Sequence, residues 1–217
     1  MPSIHGLDIP TGLADLATPE KMALLVYDMQ VGICRQKESE RVQAAAGAVL
    51  AAAREAGFRV AYTRHLSLPK AWMGVTQYRT AMAWQRKADP AEVSPWFLRD
   101  SPGFAIVPEL APAADEAVFD KLAMSAFEGT PLHFALTDAG IRALAIVGIA
   151  MEVGIEPTAR HAADLGIVPV IVEDAVGWGN KEAAERSIAS LRYAGDSIFT
   201  TVAELTGHMR STAAAAP

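Results

Sequence analysis

Residues 148–166 read GIAMEVGIEPTARHAADLG, and they contain the clearest strand-to-helix transition in the chain. It continues the apolar run ALAIVG (143–148) and leads into a helical pattern that Gly166 closes. A buried strand that turns sharply into a helix is the repeating unit of an α/β sheet. The turn contains no Cys or Ser, and Thr158 lies well inside the predicted helix. A sharp turn of this kind can present a nucleophile, but this one has no side chain suited to that role.

The same strand-and-helix unit recurs on both sides of this stretch. The apolar runs have little polar alternation, which is typical of strands buried on both faces. We predict an α/β fold: a doubly wound, mainly parallel, six-stranded sheet flanked by helices in a Rossmann-like, three-layer arrangement. The predicted strands are ALLVY (23–27), RVAYT (59–63), EAVFD (116–120), ALAIVG (143–148), VPVIVEDA (168–175) and SIFTT (197–201).

Helical patterns follow most of these strands. Thr130 and Pro131 predict the start of one helix, as its cap and its first residue. The other helices are predicted over 40–56 (stopping at Gly57), 155–165, 180–195 and a short segment after Thr201.

We predict a single domain over 1–217. Residues 64–115 interrupt the alternation of strands and helices, and they include Trp72, Trp84 and Trp96. They are predicted to cover one end of the sheet, with a short helix near 75–87. The end of the chain, at about 211–217, is predicted to be a frayed tail.

Composition narrows the classes of function. The formal net charge is −6, and no basic cluster is interleaved with aromatic residues, so we expect no nucleic-acid partner. The longest apolar runs are far shorter than the roughly 20 residues of a membrane span, and residues 1–10 do not resemble a signal peptide. The lone Cys34 excludes internal disulfides and a multi-cysteine metal site. We therefore expect a cytoplasmic protein with no membrane partner.

Polar residues follow the predicted strands, where ligands bind in open α/β sheets. Asp28 and Gln30 follow the first strand, His65 follows the second, and Lys121 follows the third. Each has a structural interpretation when taken alone: an Asp after a strand is often a cap, and a lone Lys is often a solvated surface residue. Together they predict a polar site at one edge of the sheet.

Three ordered motifs carry a resemblance to a known family. They are LLVYDMQ (24–30), FDKLAMSAFEGTPL (119–132) and AIVGIAMEVGIEPTARHAADLGIVPVIVEDA (145–175). The chain resembles the isochorismatase-like hydrolase superfamily, which includes nicotinamidases, N-carbamoylsarcosine amidases and isochorismatases, from residue 23 to about residue 206. The resemblance implies catalytic roles for Asp28 and Lys121, a small-molecule substrate, and a homodimer or homotetramer.

The chain departs from this family at the nucleophile. Most members resemble G-x-A-T-D-x-C-V at the turn, which places Gly154 at the position of the cysteine. Cys34 lies outside the motif and is expected to be structural. The backbone N–H groups near Ala150 and Gly154 resemble an oxyanion hole, with an implied cis peptide at Ile149–Ala150. Gly154 is also interpreted as a glycine that allows tight packing between helix and sheet, which is compatible with a role in making room for the substrate.

Three functions remain open without a thiol. True isochorismatases also carry glycine at this position and hydrolyse a vinyl ether without a covalent intermediate, with the aspartate as acid. By resemblance, Asp28 would be the acid and Lys121 its electrostatic partner, although a neighbouring lysine favours the carboxylate form. Alternatively, Asp28 is a base that activates water against an amide, ureide or ester. The third alternative is a non-catalytic protein that binds a small molecule.

The substrate is not assigned by this resemblance. The chain has YDMQ and GIAMEVG where true isochorismatases resemble HDMQ and GVYAHIG. Nicotinamidases carry an Asp-x-His…His metal site after the second strand, whereas TRHLSLPKAW (63–72) offers His65 and no aspartate. We therefore predict no catalytic metal and no cofactor. The substrate pocket is predicted among Gln30, His65, Trp84, Phe127, Ile149, Met151 and Trp178.

Overall fold

A computed structural model of the protein describes residues 1–35 and 38–215. Its centre is a six-stranded sheet in which every neighbouring pair of strands is parallel. The predicted doubly wound sheet and its six strands are therefore confirmed. In chain order the strands are β1 (Met22–Tyr27), β2 (Arg59–His65), β3 (Ala117–Lys121), β4 (Ala143–Gly148), β5 (Val168–Val176) and β6 (Ile198–Thr200).

The order of the strands fixes where a ligand can bind. Across the sheet the order is β3-β2-β1-β4-β5-β6, so the direction of winding reverses between β1 and β4. The loops after these two strands diverge, and the crevice between them is the usual ligand site of such sheets. Asp28 follows β1 and Ile149 follows β4, so both residues lie at this crevice.

Helices cover both faces of the sheet and form the outer layers. The helices are α1 (Glu38–Glu55), α2 (Val75–Gln85), α3 (Leu132–Asp138), α4 (Glu156–Asp164), α5 (Lys181–Ala194) and α6 (Val202–Ala215). Helices α1 and α6 pack with Leu24 and Val26 of β1 into one hydrophobic core. Helices α3, α4 and α5 pack with Leu25 and Tyr27 into the other core. Among the described residues, no helix is both long and apolar enough to span a bilayer.

The segment 64–115 lies at the carboxyl end of β1. Within it, the Gly103 and Ala105 carbonyls accept hydrogen bonds from the Gly32 and Val31 N–H groups, at 2.9 and 2.8 Å. Helix α2 belongs to this segment and has no buried residue. A cavity of about 290 Å³ lies beside α2, with Thr76, Gln77, Thr80 and Ala81 on its lining.

The C-terminal residues differ from the prediction. Helix α6 is 14 residues long and extends to Ala215, so it is longer than the short helix predicted after Thr201. Alanine has the highest helix propensity, which favours continuation of the helix. The Thr212 hydroxyl also donates to the Ala17 carbonyl at 3.2 Å, and Ala213 packs against the core. Residues 216–217 lie outside the described residues.

Candidate active site

A cavity of about 220 Å³ lies at the crevice between β1 and β4. We call it the Asp28 cavity. It is lined by residues from the ends of these strands, from α1 and from the segment 64–115. The residues that line it and that are used below are Tyr27, Asp28, Arg41, His65, Trp84, Trp96, Phe97, Met124, Ile149, Ala150, Val153 and Trp178.

Asp28 and Lys121 form a buried ion pair at one side of this cavity. Lys121 Nζ donates to Asp28 Oδ2 at 2.7 Å, and the Thr63 hydroxyl donates to Asp28 Oδ1 at 2.7 Å. The side chain of Lys121 is fully buried, and that of Asp28 is 6% exposed. Asp28 has a positive φ of 48°, a region that non-glycine residues rarely adopt and that is found at functional turns. Lys121 thus lies on the side of Asp28 away from the cavity, and Asp28 is the member of the pair that lines the cavity.

The side chain of Tyr27 fills the space beside Gly154. A Cβ atom added to Gly154 would lie 1.8 Å from the Tyr27 hydroxyl oxygen and 2.4 Å from Cζ. Real Cβ atoms do not approach other atoms this closely, so no side chain fits at position 154 unless Tyr27 moves. The interpretation of Gly154 as a residue of tight packing therefore agrees with the structure, and the phenol occupies the room that a substrate could have used.

The Tyr27 phenol is held by hydrogen bonding and by charge. Its hydroxyl donates to the Met124 carbonyl at 2.5 Å, and Lys121 Nζ lies 4.5 Å from the ring centroid. Burial raises the pKa of Tyr27 well above its ordinary value, and the Asp28 carboxylate raises it further. The phenol therefore stays protonated and is a poor nucleophile at neutral pH.

The turn after β4 contributes a free backbone donor to the cavity. The Ile149–Ala150 peptide is cis, as the family resemblance implies. Ala150 lines the cavity, and its N–H group has no acceptor among the described residues. By contrast, the Gly154 N–H donates to the Ala150 carbonyl at 3.0 Å inside a π-helical turn over Met151–Ile155. Only the Ala150 half of the expected oxyanion hole is thus available.

Gln30 positions His65 on the opposite wall. Gln30 Oε1 accepts from the His65 N–H at 2.6 Å, and Gln30 Nε2 donates to the His65 carbonyl at 3.1 Å. The imidazole packs near Trp84 and edge-on against Phe97. Burial lowers the pKa of His65; Asp28 opposes this effect and Lys121 adds to it. His65 therefore presents a neutral ring to the cavity at pH 7.

Trp178 forms another wall, and neighbouring charged residues hold its loop. Glu152 Oε1 accepts from the Gly179 and Asn180 N–H groups at 2.8 and 2.7 Å. The Arg41 guanidinium lies 5.3 Å from the Trp178 ring centroid and donates to the Asp174 carbonyl at 2.6 Å. The Trp178 loop is therefore tied both to the turn after β4 and to α1.

The structure brings most of the predicted site residues to the cavity, but not all of them. Those that line it are Asp28, His65, Trp84, Ile149, Ala150 and Trp178. Lys121, Gln30 and Gly154 lie behind lining residues and act through them. Phe127 and Met151 belong to the core beneath α3, α4 and α5 rather than to the pocket.

Cys34 and metal ligands are not part of this site. Burial and the Glu109 carboxylate raise the pKa of the Cys34 thiol to about 12, so almost none of it is thiolate at neutral pH. It does not line the cavity. Within 1–35 and 38–215, no group of three His, Cys, Asp or Glu side chains could hold a metal ion.

Several lining residues were not predicted as site residues from the sequence. They are Tyr27, Arg41, Trp96, Phe97, Met124 and Val153. The sequence does mark Tyr27 as a candidate site residue, because it directly precedes Asp28 and stands where the HDMQ pattern has histidine. Arg41 lies on α1, whose pattern indicates only a helix that covers the sheet, so nothing in its local sequence marks it.

The family comparison matches most of the chain. The model of the isochorismatase domain matches residues 22–204. This range includes Asp28, Lys121 and the turn after β4.

Solved structures share this fold. The chain is similar to a cysteine hydrolase from Pseudomonas syringae pv. phaseolicola 1448A, with a TM-score of 0.78 and 22% identity over 90% of this chain and 95% of that one. An isochorismatase family protein from Desulfovibrio vulgaris subsp. vulgaris str. Hildenborough gives a TM-score of 0.74 and 24% identity, over 88% of this chain and 98% of that one. N-carbamoylsarcosine amidase from Thermoplasma acidophilum gives a TM-score of 0.68 and 22% identity, over 84% of this chain and 96% of that one. At these identities the likeness shows the fold.

The contact between Tyr27 and Gly154 predicts a large effect of a small substitution. Gly154→Ala should lower the free energy of unfolding by about 1–3 kcal/mol or more, because the new methyl group overlaps the phenol. In a Tyr27→Leu background the same substitution should cost much less, because the two sites are coupled. Chemical denaturation of the four proteins measures both effects.

Gly47→Ala is the matched control for this cycle. Gly47 lies inside α1, and a Cβ atom there would meet nothing closer than Leu110 Cδ2 at 3.6 Å. This substitution should be neutral or stabilising by up to about 1 kcal/mol, because alanine is the better helix former. If Gly154→Ala behaved like Gly47→Ala, the described position of Tyr27 would be wrong.

His65 predicts a pH dependence of stability. Its pKa is lower in the folded chain than the unfolded value of about 6.5, so its contribution to stability is present above that pH and is lost as pH falls through the folded pKa. Between pH 7 and pH 5, the wild type should therefore lose more free energy of unfolding than His65→Gln. Urea denaturation at each pH measures the difference, and parallel curves would contradict the assignment.

Proposed function

This chain belongs to the isochorismatase domain family, and we propose that it is a hydrolase in which water attacks a small-molecule substrate directly, without a covalent bond to the protein. Asp28 transfers the proton. Lys121 holds the Asp28 carboxylate in place and balances its charge inside the protein. The solved relatives include an N-carbamoylsarcosine amidase and a pyrazinamidase, which supports hydrolysis as the reaction class.

The observation that carries this proposal is the phenol beside Gly154. Family resemblance places the cysteine nucleophile at position 154, and here Tyr27 takes the volume that its side chain would need. The phenol cannot stand in for the thiol, because it stays protonated and donates its proton to the Met124 carbonyl. The remaining cysteine, Cys34, lies outside the cavity. Water is therefore the nucleophile that this geometry supports.

The hydrogen bonds of Asp28 favour its action as a base. Both of its oxygens accept hydrogen bonds, from Thr63 and from Lys121. A carboxylate offers about four acceptor positions, so lone pairs remain for a water molecule in the cavity. Ala150 lines the same cavity, and its N–H, which has no acceptor among the described residues, is available to stabilise an oxyanion that develops on a carbonyl substrate. These features support attack on an amide, ureide or ester.

A second candidate is hydrolysis of a vinyl ether or a similar C–O bond. In that reaction Asp28 would start protonated and would donate a proton to the substrate, after which water attacks. The glycine at position 154 favours this candidate, because the resemblance assigns glycine to the true isochorismatases as well. Both candidates share direct attack by water and differ in the starting protonation state of Asp28.

The cavity indicates a small and largely apolar or planar substrate. Five aromatic side chains line it besides His65, namely Tyr27, Trp84, Trp96, Phe97 and Trp178. Its described lining contains one carboxylate, Asp28, and one cation, Arg41. Flat rings stack well on such walls, and a cavity of about 220 Å³ limits the reacting part to a small group.

A substrate panel tests the proposal. Vinyl ethers, primary amides, ureides and esters with small aromatic or aliphatic groups should be incubated with the protein and with Asp28→Asn, and ligand binding should be measured in parallel. Turnover by the wild type that the variant loses would support the proposal. Binding without turnover across the panel would instead support a non-catalytic binding protein.

Asp28 and Lys121 should contribute to the rate as one unit. Asp28→Asn keeps the shape of the side chain but cannot transfer the proton, so kcat should fall by about 10²–10⁴-fold. Lys121→Met should also lower kcat, and the double variant should lose less than the product of the single losses. Steady-state kinetics measure these losses, with thermal unfolding as a check of the fold. Near-normal kcat in Asp28→Asn would make Asp28 structural.

The pH profile of kcat/KM separates the two candidates. A base must begin ionised, so activity on an amide, ureide or ester should fall on the acid side of the profile and be lost with protonation of Asp28. An acid must begin protonated, so activity on a vinyl ether should fall on the alkaline side. A profile that stays unchanged in Asp28→Asn would assign the controlling ionisation to another group.

A further inference from the structure

The Asp28 cavity carries one positive charge that its own lining does not balance. The charged side chains on its described lining are Asp28 and Arg41. The Asp28 carboxylate is already balanced by Lys121, whose Nζ lies 2.7 Å from Oδ2. Burial lowers the pKa of His65, so that ring adds no charge at neutral pH. The Arg41 guanidinium is therefore the excess charge at this cavity.

Arg41 is held by backbone carbonyls and has donors to spare. Its Nη1 donates to the Asp174 carbonyl at 2.6 Å, and its Nη2 donates to the Val176 carbonyl at 3.2 Å. A guanidinium has five N–H donors, so three remain after these two bonds. Among the described residues, no carboxylate forms an ion pair with Arg41. Its position is thus fixed by the fold, while its charge is free to meet a ligand.

Two other arginines show what Arg41 lacks. Arg64 and Arg192 also lie over aromatic rings, 4.4 and 4.6 Å from the ring centroids. Each of them pairs with a carboxylate as well, Arg64 with Asp120 at 2.7 Å and Arg192 with Glu173 at 2.5 Å. Arg41 has the aromatic contact without the carboxylate. A carboxylate from a ligand would complete the same set of partners.

Arg41 lies at the end of the cavity that holds the Ile149–Ala150 turn. The next residue, Val42, lines the cavity together with Ile149. Their side chains lie 3.0 and 2.8 Å from where a Cβ atom on Gly177 would be, so α1, the loop after β5 and the turn after β4 meet there. Arg41 itself is exposed, so an anion can approach it from solvent.

We propose that Arg41 recognises a carboxylate of the substrate, so that the substrate is a small planar acid with its scissile bond at Asp28. A planar guanidinium matches a carboxylate in shape, and their hydrogen bonds are strengthened by charge. The aromatic walls of the cavity suit the planar part of such a molecule. This inference rests on the proposed function and extends it by naming the class of substrate.

Two pairs of compounds of equal shape make suitable probes. 3-Carbamoylbenzoate and 4-carbamoylbenzoate each carry one carboxylate and one primary amide, and isophthalamide and terephthalamide replace that carboxylate with a second amide. The two ring positions place the acid at different distances from the amide. Calorimetry measures each Kd. At least one acid should bind the wild type about tenfold more tightly than its diamide, equivalent to about 1.4 kcal/mol.

Substitutions of arginine locate this preference. Arg41→Gln removes the charge and should abolish the preference, whereas Arg41→Lys keeps the charge and should retain part of it. If Arg41 only supported its loop, Arg41→Gln would weaken the acid and the diamide equally and leave the ratio of their Kd values unchanged. Arg59→Gln is the matched control for net charge, because Arg59 is exposed and lies at the amino end of β2, away from the cavity. It should keep the full preference, and thermal unfolding checks that each variant is folded.

The outcomes separate this proposal from the proposed function. Equal binding of acids and diamides by the wild type, or no binding of any probe, would overturn the carboxylate site. A preference that survives in Arg41→Gln, or that is lost in Arg59→Gln, would overturn it too. A preference that depends on Arg41, with no turnover of the acids or of the substrate panel, would keep the carboxylate site and reject the hydrolase. Turnover that Asp28→Asn loses, without any preference for the acids, would keep the hydrolase and reject the carboxylate site.

Discussion

The contact between the Tyr27 phenol and Gly154 determines the chemistry that this site can perform. Position 154 has room for nothing larger than a hydrogen atom, because the Tyr27 hydroxyl lies where a β-carbon would be. The phenol in turn depends on this glycine, on the Met124 carbonyl and on the Lys121 ammonium near its ring. Tyrosine at position 27 therefore requires glycine at position 154, and this pair leaves no room for a cysteine side chain there.

The buried ion pair between Asp28 and Lys121 is the second constraint. Two charges taken out of water are costly unless each finds good partners, and removing one partner leaves the other uncompensated. Here Thr63 and the Ala123 carbonyl complete the hydrogen bonding of the pair. A pair of this kind is a poor means of holding a sheet together. Its place at the point where the winding of the sheet reverses, with Asp28 open to the cavity, is consistent with a role in proton transfer.

The sequence predicts the sheet well and the site only in part. Strands β1 and β4 are uninterrupted apolar runs, and Asp28 and Lys121 directly follow or end strands, so sequence position alone brings them together. Phe127 and Met151, which the sequence predicts in the pocket, have their side chains in the core. The direction of a side chain depends on packing across the fold, which the local sequence does not contain. Tyr27 and Gly154 are distant in sequence, and neither residue alone indicates their contact. The contact forms only because the fold packs the turn after β4 against the end of β1.

Hydrolysis by this protein should proceed without a covalent bond between protein and substrate. Rapid-quench mass spectrometry of the intact protein, during turnover of the substrate that the panel identifies, detects such a bond. The protein should keep its unmodified mass at every time point, including those before the steady state. A substrate-derived mass increase that forms and decays at the rate of turnover would show a covalent intermediate and rule out direct attack by water.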